Sequence, residues 1–307
     1  MKKWICLLLM VCLLPLTAMA ESHVIDRTGN LKEEYVFDGD AKLLEIIFPR
    51  VYSSDCAIVR FGDEVIMIDA STEHPVMRER IHSAMDSVGV DHVDVAFNSH
   101  PHDDHIDGFA HVNEYAPIGK LVLAFPEDHN KNMRNAVEYA VTHDIPIEHV
   151  MNGDVLTMGE QGEVTLHVIQ HVGKNWKEND CSAMLMIEYG KRRILFMGDV
   201  ENRAQVYYAE NPPACGLNAD IFKYPHHGQV ALKDPFLKLV APELAFMNGA
   251  ADVMDDGKSY MKKKKIPFLL GYKGLTRMRT DGEIWVVDYV RELRPDKKTI
   301  QPEYKYN

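Results

Sequence analysis

The sequence predicts an α/β protein of layered architecture, with two β-sheets packed face to face and helices outside them. Short apolar, β-branched runs of strand length alternate with helical segments, and the connections between them are short. These runs fall into two groups, each interrupted by helices, which suits two packed sheets better than one parallel doubly wound sheet. At 307 residues, 46 % of them hydrophobic, the chain can bury one large core or two modest ones.

Residues 1–20 stand apart from that core. Lys2 and Lys3, an apolar run over 4–14, Pro15 and the small-residue exit Ala18-Met19-Ala20 read as a secretory signal cleaved after Ala20. The mature protein is therefore expected to be secreted or periplasmic. The run is too short to span a bilayer, and no membrane partner is expected. Residues 21–40 read as a lead-in, 41–290 as a single domain and 291–307 as a polar C-terminal tail.

Within the domain, residues 43–48 and 56–61 read as strands, and Gly62-Asp63 turns the second into a strand over 65–68 that ends at Asp69. A helix follows. Pro75 suits its first turn, Met77, Ile81, Ala84, Met85 and Val88 share one face, and Gly89 stops it. Strands over 93–97 and 121–125, a helix over 133–142 and an alternating strand over 164–172 come next. Residues 183–189 and 193–197 form a hairpin across Gly190-Lys191. A short helix near 204–210 and strands over 221–224, 244–247 and 284–287 complete the count.

Cysteine and charge exclude some classes. Cys56, Cys181 and Cys215 remain after the leader, so at most one disulfide forms and this is no disulfide scaffold. A formal net charge of −12 disfavours indiscriminate binding to nucleic acid or anionic membranes, and no stable nucleic-acid partner is expected. The charge is uneven, with eight basic and no acidic residues over 257–280. Lys262, Lys263, Lys264 and Lys265 read first as a solvated loop. The sharper alternative joins them with Lys223, Lys273, Arg277 and Arg279 in an arm that draws an anionic substrate to the site.

The chemistry concentrates in S-H-P-H-D-D-H-I-D-G, residues 99–108, which places His100, His102, Asp104 and His105 at the end of a buried strand. In an extended turn, positions i and i+2 project to one side, so His100 and His102 can share one ion while Asp104 and His105 turn toward a second. Three further segments supply partners. Phe196-Met197-Gly198-Asp199 puts an acid just beyond a buried strand. Lys223-Tyr224-Pro225-His226-His227-Gly228 ends another strand in adjacent histidines. Alternation over 164–172 puts His167 and His171 on one face, and either can be a ligand, the strand-end position favouring His171.

This ordered set resembles the metallo-β-lactamase-fold hydrolase superfamily, and looks most similar to the branch containing the hydrolase domain of the bacterial DNA-uptake competence protein. The branch-level likeness rests on Val65-Ile66-Met67-Ile68-Asp69, Asn179-Asp180-Cys181-Ser182, Ala219-Asp220-Ile221-Phe222-Lys223 before H-H-G, and Thr280-Asp281-Gly282-Glu283-Ile284. Departures are the R-V-Y-S-S-D turn over 50–55 in place of V-G-Q-G-D, Ser71 and Asp107 where glycines are usual, and Gln229 after H-H-G. The resemblance implies a four-layer αββα sandwich and an exported metal-dependent hydrolase acting through a hydroxide activated by two divalent ions. Zinc is favoured, with manganese or iron open, because the donors are mainly nitrogen and oxygen.

One site would use His100, His102 and His171, the other Asp104, His105 and His226, with Asp199 between. His226 fits the single late histidine of other branches, leaving His227 to contact substrate. Asp104 would orient the attacking oxygen and take its proton. Asp69 would hold the ligand loop, and Asp180 would help the first site should the third histidine be missing. The leading substrate is a phosphodiester or other anionic small molecule or oligonucleotide. The rivals are an amide, lactam, lactone or thioester on the same ions, and a non-catalytic metal-containing binding protein.

Overall fold

The computed structural model describes residues 22–28 and 35–293. The leader expected over 1–20 and nearly all of the expected tail lie outside them. The first half runs β1 (Val24–Asp26), β2 (Leu44–Phe48), β3 (Cys56–Phe61), β4 (Glu64–Ala70), α1 (Pro75–Val88), β5 (Val95–Asn98), α2 (Asp103–Ile106), α3 (Phe109–Tyr115), β6 (Leu121–Leu123), α4 (Lys131–Thr142) and β7 (Ile147–His149). The second runs β8 (Val155–Met158), β9 (Val164–Ile169), β10 (Met184–Tyr189), β11 (Arg192–Phe196), α5 (Asn202–Glu210), β12 (Ile221–Lys223), α6 (Asp234–Val240), β13 (Leu244–Met247), α7 (Asp255–Lys264), β14 (Phe268–Leu270), β15 (Thr276–Thr280) and β16 (Trp285–Tyr289).

Two sheets result, in the orders β1-β16-β15-β2-β3-β4-β5-β6-β7 and β14-β13-β12-β11-β10-β9-β8. Their facing sides bury one core, in which Leu44, Ile46, Phe48, Val59 and Phe97 meet Leu166, Val168, Leu185, Phe196 and Phe246. Phe48 stacks on Phe246 with ring centroids 4.0 Å apart. The outer face of the first sheet packs under α1, α3 and α4, where Ile58 and Met67 meet Ile81, Met85, Val112 and Met133. The outer face of the second packs under α5, α6 and α7, where Leu195 and Phe222 meet Ala204, Phe236 and Met261. The expected four layers, helices over two facing sheets, are therefore present.

Local signals act as anticipated where they are short-range. Pro75 sits in the first turn of α1, and Gly89 ends that helix with φ 69°, a left-handed conformation that glycine adopts at little cost. Asn130 caps α4 by accepting the Met133 amide at 3.0 Å.

Long-range pairing accounts for the differences. The expected lead-in contains β1, which pairs in parallel with β16. The basic stretch is no single arm, because its first part forms α7 and its last part is β15, sandwiched between β2 and β16. On β15, Arg277 and Arg279 pair with Asp288 at 3.0 and 2.7 Å, and Lys264 on α7 pairs with Asp234 at 2.6 Å. The strand expected to reach 172 stops at Ile169. Beyond it, Gln170 Nε2 donates to the carbonyls of Ala124 and Cys181, each at 3.0 Å.

Candidate metal centre

Four strands of the two sheets deliver their C-terminal ends to one place. β4 ends beside Asp69, β5 runs into His100, β11 into Asp199 and β12 into the histidine pair, and β4 with β5 and β11 with β12 are parallel neighbours. Carboxyl ends of parallel strands are where α/β sheets expose side chains and loops to ligands. The ligand loop is not extended throughout. His102 stands at the N-terminus of α2, and that single helical turn carries Asp104 and His105, whose ring lies 4.0 Å from that of His100.

Two groups of donors form, and they share one carboxylate. In the first, His100 Nε2 lies 3.1 Å from His102 Nδ1 and 3.8 Å from Asp199 Oδ2. In the second, His105 Nε2 lies 3.4 Å from Asp199 Oδ2 and 3.8 Å from Asp104 Oδ1, while His227 Nε2 lies 3.0 Å from Asp104 Oδ2 and 3.5 Å from Asp199 Oδ2. Within each group, all the offered atoms fall within 4.8 Å of one another. His100, His105, Asp199 and His227 are buried.

The donor set fits divalent cations on a direct observation. His105 Nε2 and Asp199 Oδ1 are buried without a hydrogen-bond partner, an arrangement that costs about 1–3 kcal/mol per neutral group unless something satisfies it. A cation between Asp199 and the imidazoles does so.

Each of these histidines meets an oxygen at its other ring nitrogen, the arrangement that fixes a ligand's tautomer and orientation. His105 Nδ1 lies 2.7 Å from Asp69 Oδ2, His102 Nε2 lies 2.9 Å from Glu178 Oε2, and His100 Nδ1 lies 3.1 Å from Ser99 Oγ. His227 Nδ1 lies 3.2 Å from Asp55 Oδ1, in ion-pair contact without hydrogen-bond alignment. Asp69 also accepts the Ser99 amide at 2.8 Å, the Ser99 hydroxyl at 2.6 Å and Asn98 Nδ2 at 3.2 Å.

The electrostatics seek positive charge. Burial works to raise the Asp104 carboxyl, but the His105 and His227 imidazoles overcome it and hold it down to about 2. Asp199 is likewise held well below the usual carboxylate range, burial being outweighed by His227 and His105. Against their own burial, Asp199 and its neighbouring acids raise His105 well above the ordinary imidazole value and push His227 up to about 9. His100 is pushed well below it, by burial and then by the His105 charge. On the same loop, Asp107 is raised to about 6 by burial and by Asp103, Glu73 and Asp104.

The structure brings together His100, His102, Asp104, His105 and Asp199, with Asp69 behind them. It does not bring His171 to them, and it puts His227 rather than His226 among the second group's donors. The His171 ring stacks on Tyr207 at 3.8 Å, edge-on to Trp176, because the chain has left the sheet at Ile169. His167 points to Glu188, 3.5 Å away. Of the adjacent histidines it is His227 that joins the second group, since both residues take left-handed backbone angles, φ 45° and 53°, which turn the second ring inward. His226 stays at the edge of the site, its Nδ1 3.1 Å from Glu201 Oε1 and its Nε2 3.9 Å from Asp199 Oδ2. Asp180 stays clear of the donors and caps α5, accepting the Glu201 and Ala204 amides at 3.1 and 3.0 Å. Lys223 is no part of an exposed arm, for it is buried and paired with Asp55.

Asp55 and Glu178 are site residues that the sequence reading missed. For Asp55 a signal was available: it closes the turn over 50–55, where the pattern V-G-Q-G-D also ends in Asp. Glu178 has no local signal, since it meets His102 across 76 positions of chain.

A four-layer αββα sandwich with two histidine and carboxylate groups bridged by one Asp defines the class. The chain belongs to the metallo-beta-lactamase superfamily, whose family model matches residues 49–239. Comparison with curated proteins finds no match. Among solved structures, a mutant of the CmlA beta-hydroxylase is similar at 11 % identity and a TM-score of 0.50, covering 80 % of this chain and 54 % of that chain. Zinc-bound PqqB from Methylobacterium extorquens is similar at 11 % identity and 0.46, covering 74 % and 86 %. MEM-A1, a subclass B3 metallo-beta-lactamase from a soil metagenome library, is similar at 12 % and 0.41, covering 59 % and 76 %. At 11 % identity the likeness to the CmlA structure speaks for the fold alone.

Proposed function

We propose that this protein is a metal-dependent hydrolase holding two divalent ions, one by His100, His102 and Asp199, the other by Asp104, His105, His227 and Asp199. The observation that carries the reading is the shared, buried Asp199 beside the unpartnered Nε2 of His105. Divalent ions there would polarise a scissile carbonyl or phosphoryl oxygen and make a water acidic enough to attack near neutral pH. Zinc suits the nitrogen-rich donors, with manganese and iron as outcomes of metal analysis.

The chain's own residues do the rest. Asp104, with 26 % of its side chain exposed, is the cluster carboxylate that water can reach, and it orients the attacking water and accepts its proton. Asp69 accepts a hydrogen bond from His105 Nδ1–H, which holds the proton there and leaves Nε2 free for the cation. His226, with 22 % of its side chain exposed, contacts substrate at the mouth while Glu201 steadies it.

A phosphodiester or similar anionic substrate follows from the likeness to the competence-protein branch. A second reading, a neutral lactam, lactone, amide or thioester, is favoured by the acids around the loop, Glu73, Asp103 and Asp107, and by the pairing of Arg277, Arg279 and Lys264 with carboxylates. Metal analysis, then assay on bis-p-nitrophenyl phosphate, single-stranded DNA, a chromogenic cephalosporin and a thioester, tests both. Cephalosporin or thioester turnover with inert phosphodiesters reverses their order. Two bound ions with no turnover on any of them refutes the hydrolase reading and leaves a metal-binding protein.

A further inference from the structure

We propose that Asp55 and Lys223 form a clasp between the two sheets that positions His227 for the second ion, an inference that rests on the metal assignment above. Asp55 immediately precedes β3 in the first sheet, and Lys223 is the last residue of β12 in the second. Both are buried. The Lys223 ammonium donates to Asp55 Oδ2 and, at 3.4 Å, to the carbonyl of Gly198, the residue before Asp199. Asp55 Oδ1 accepts Asn248 Nδ2 at 2.6 Å and faces His227 Nδ1 at 3.2 Å.

The backbone of Asp55 is committed to the same place. Its amide donates to the Asp104 carbonyl at 3.1 Å, and its carbonyl accepts the Ser71 amide at 2.7 Å. One residue thus touches the loop of Asp104, the lysine that reaches the turn of Asp199, and the ring of His227.

His227 needs such a hold. It and His226 are consecutive non-glycine residues in the left-handed region, a conformation that persists only where its surroundings over-determine it. The ring lies between two carboxylates, with Asp55 Oδ1 3.2 Å from Nδ1 and Asp104 Oδ2, offered to the same ion, 3.0 Å from Nε2. A carboxylate beside Nδ1 favours the tautomer that carries its proton there and leaves the Nε2 lone pair for the cation. The buried carboxylate can stay ionised because Lys223 neutralises it.

The test is zinc calorimetry on the full chain, with wild type, Asp55→Asn and the double variant Asp55→Asn/Lys223→Met, in which both partners are neutral and no buried charge is left unpaired. One of the two ions should bind roughly ten- to a hundredfold more weakly in each variant, with the other unchanged. A folded double variant that binds both ions as wild type does, or loses both equally, overturns the proposal. The wild-type protein gives a reading independent of variant folding. With ¹⁵N-histidine and bound zinc, His227 should keep a slowly exchanging Nδ1 proton and show the coordinated shift at Nε2. Coordination through Nδ1 overturns the clasp, as does a wild type that binds no zinc. Two bound ions with no hydrolysis refute the hydrolase reading alone.

Discussion

Replacing Asp69 by asparagine changes one atom in the centre of the site and should separate orientation of a ligand from simple packing. Asparagine tolerates the left-handed backbone that Asp69 adopts, φ 54°. With its oxygen in the Oδ1 position, it still accepts the Ser99 amide and Asn98 Nδ2, now as neutral bonds. Its amide nitrogen then faces His105 Nδ1, which lies 2.7 Å from Oδ2 in the wild type. Two donors cannot share that contact, so the imidazole must move its proton to Nε2, the atom offered to the cation. A hydrogen bond to a charged group contributes about 1.5–3 kcal/mol net, against about 1 for a neutral one. Losing the His105 bond and weakening the others should cost the metal-free protein about 2–4 kcal/mol, read by urea denaturation. Zinc calorimetry should show one ion weakened roughly ten- to a hundredfold, or about 1.4–2.7 kcal/mol. Two ions at wild-type affinity in a folded Asp69→Asn protein would refute the reasoning.

Three further outcomes are expected. His227→Ala should lose one zinc ion by elemental analysis while His226→Ala keeps two; the reverse would restore His226 as the late ligand. His111, buried with both ring nitrogens unpartnered, is pushed down to about 4 by burial and then by His82 and Arg78. A histidine depressed below its ordinary value of 6.5 contributes stability that is full above that pH and is lost as pH falls toward 4, so this group should remove about 2 kcal/mol between pH 7 and 5. Urea denaturation of His111→Leu should lack that increment, and identical pH profiles would disprove it. Finally, Lys262→Gln, Lys263→Gln and Lys265→Gln together should leave KM for a phosphodiester unchanged within about twofold at about 0.1 M ionic strength, where surface charges are screened over about 10 Å; a large salt-dependent rise in KM would revive the basic arm.

Legibility followed the range of the interactions. Helix α1 declared its own ends through Pro75 and Gly89, and the apolar runs marked most strands, because caps and side-chain periodicity act within a few residues. The stretch over 257–280 misled for the same reason. Its lysines and arginines describe a solvated surface, whereas β15 exists because β2 and β16 accept it on either side. At the site, His100, His102, Asp104 and His105 were visible as one dense motif. The choice between His226 and His227 was not, because it depends on two backbone angles that the surrounding structure imposes.

By itself, the sequence determined the donor types, their clustering after buried strand ends and the layered α/β class, since composition, spacing and periodicity are properties of the chain alone. Tertiary structure decided which donors meet, that His171 stacks on Tyr207, that Lys223 is buried against Asp55, and that His227 turns inward. Those outcomes arise from contacts between residues far apart in the chain, such as Asp55 with Lys223, where charge pairing and burial between two sheets set the geometry and no local signal records it.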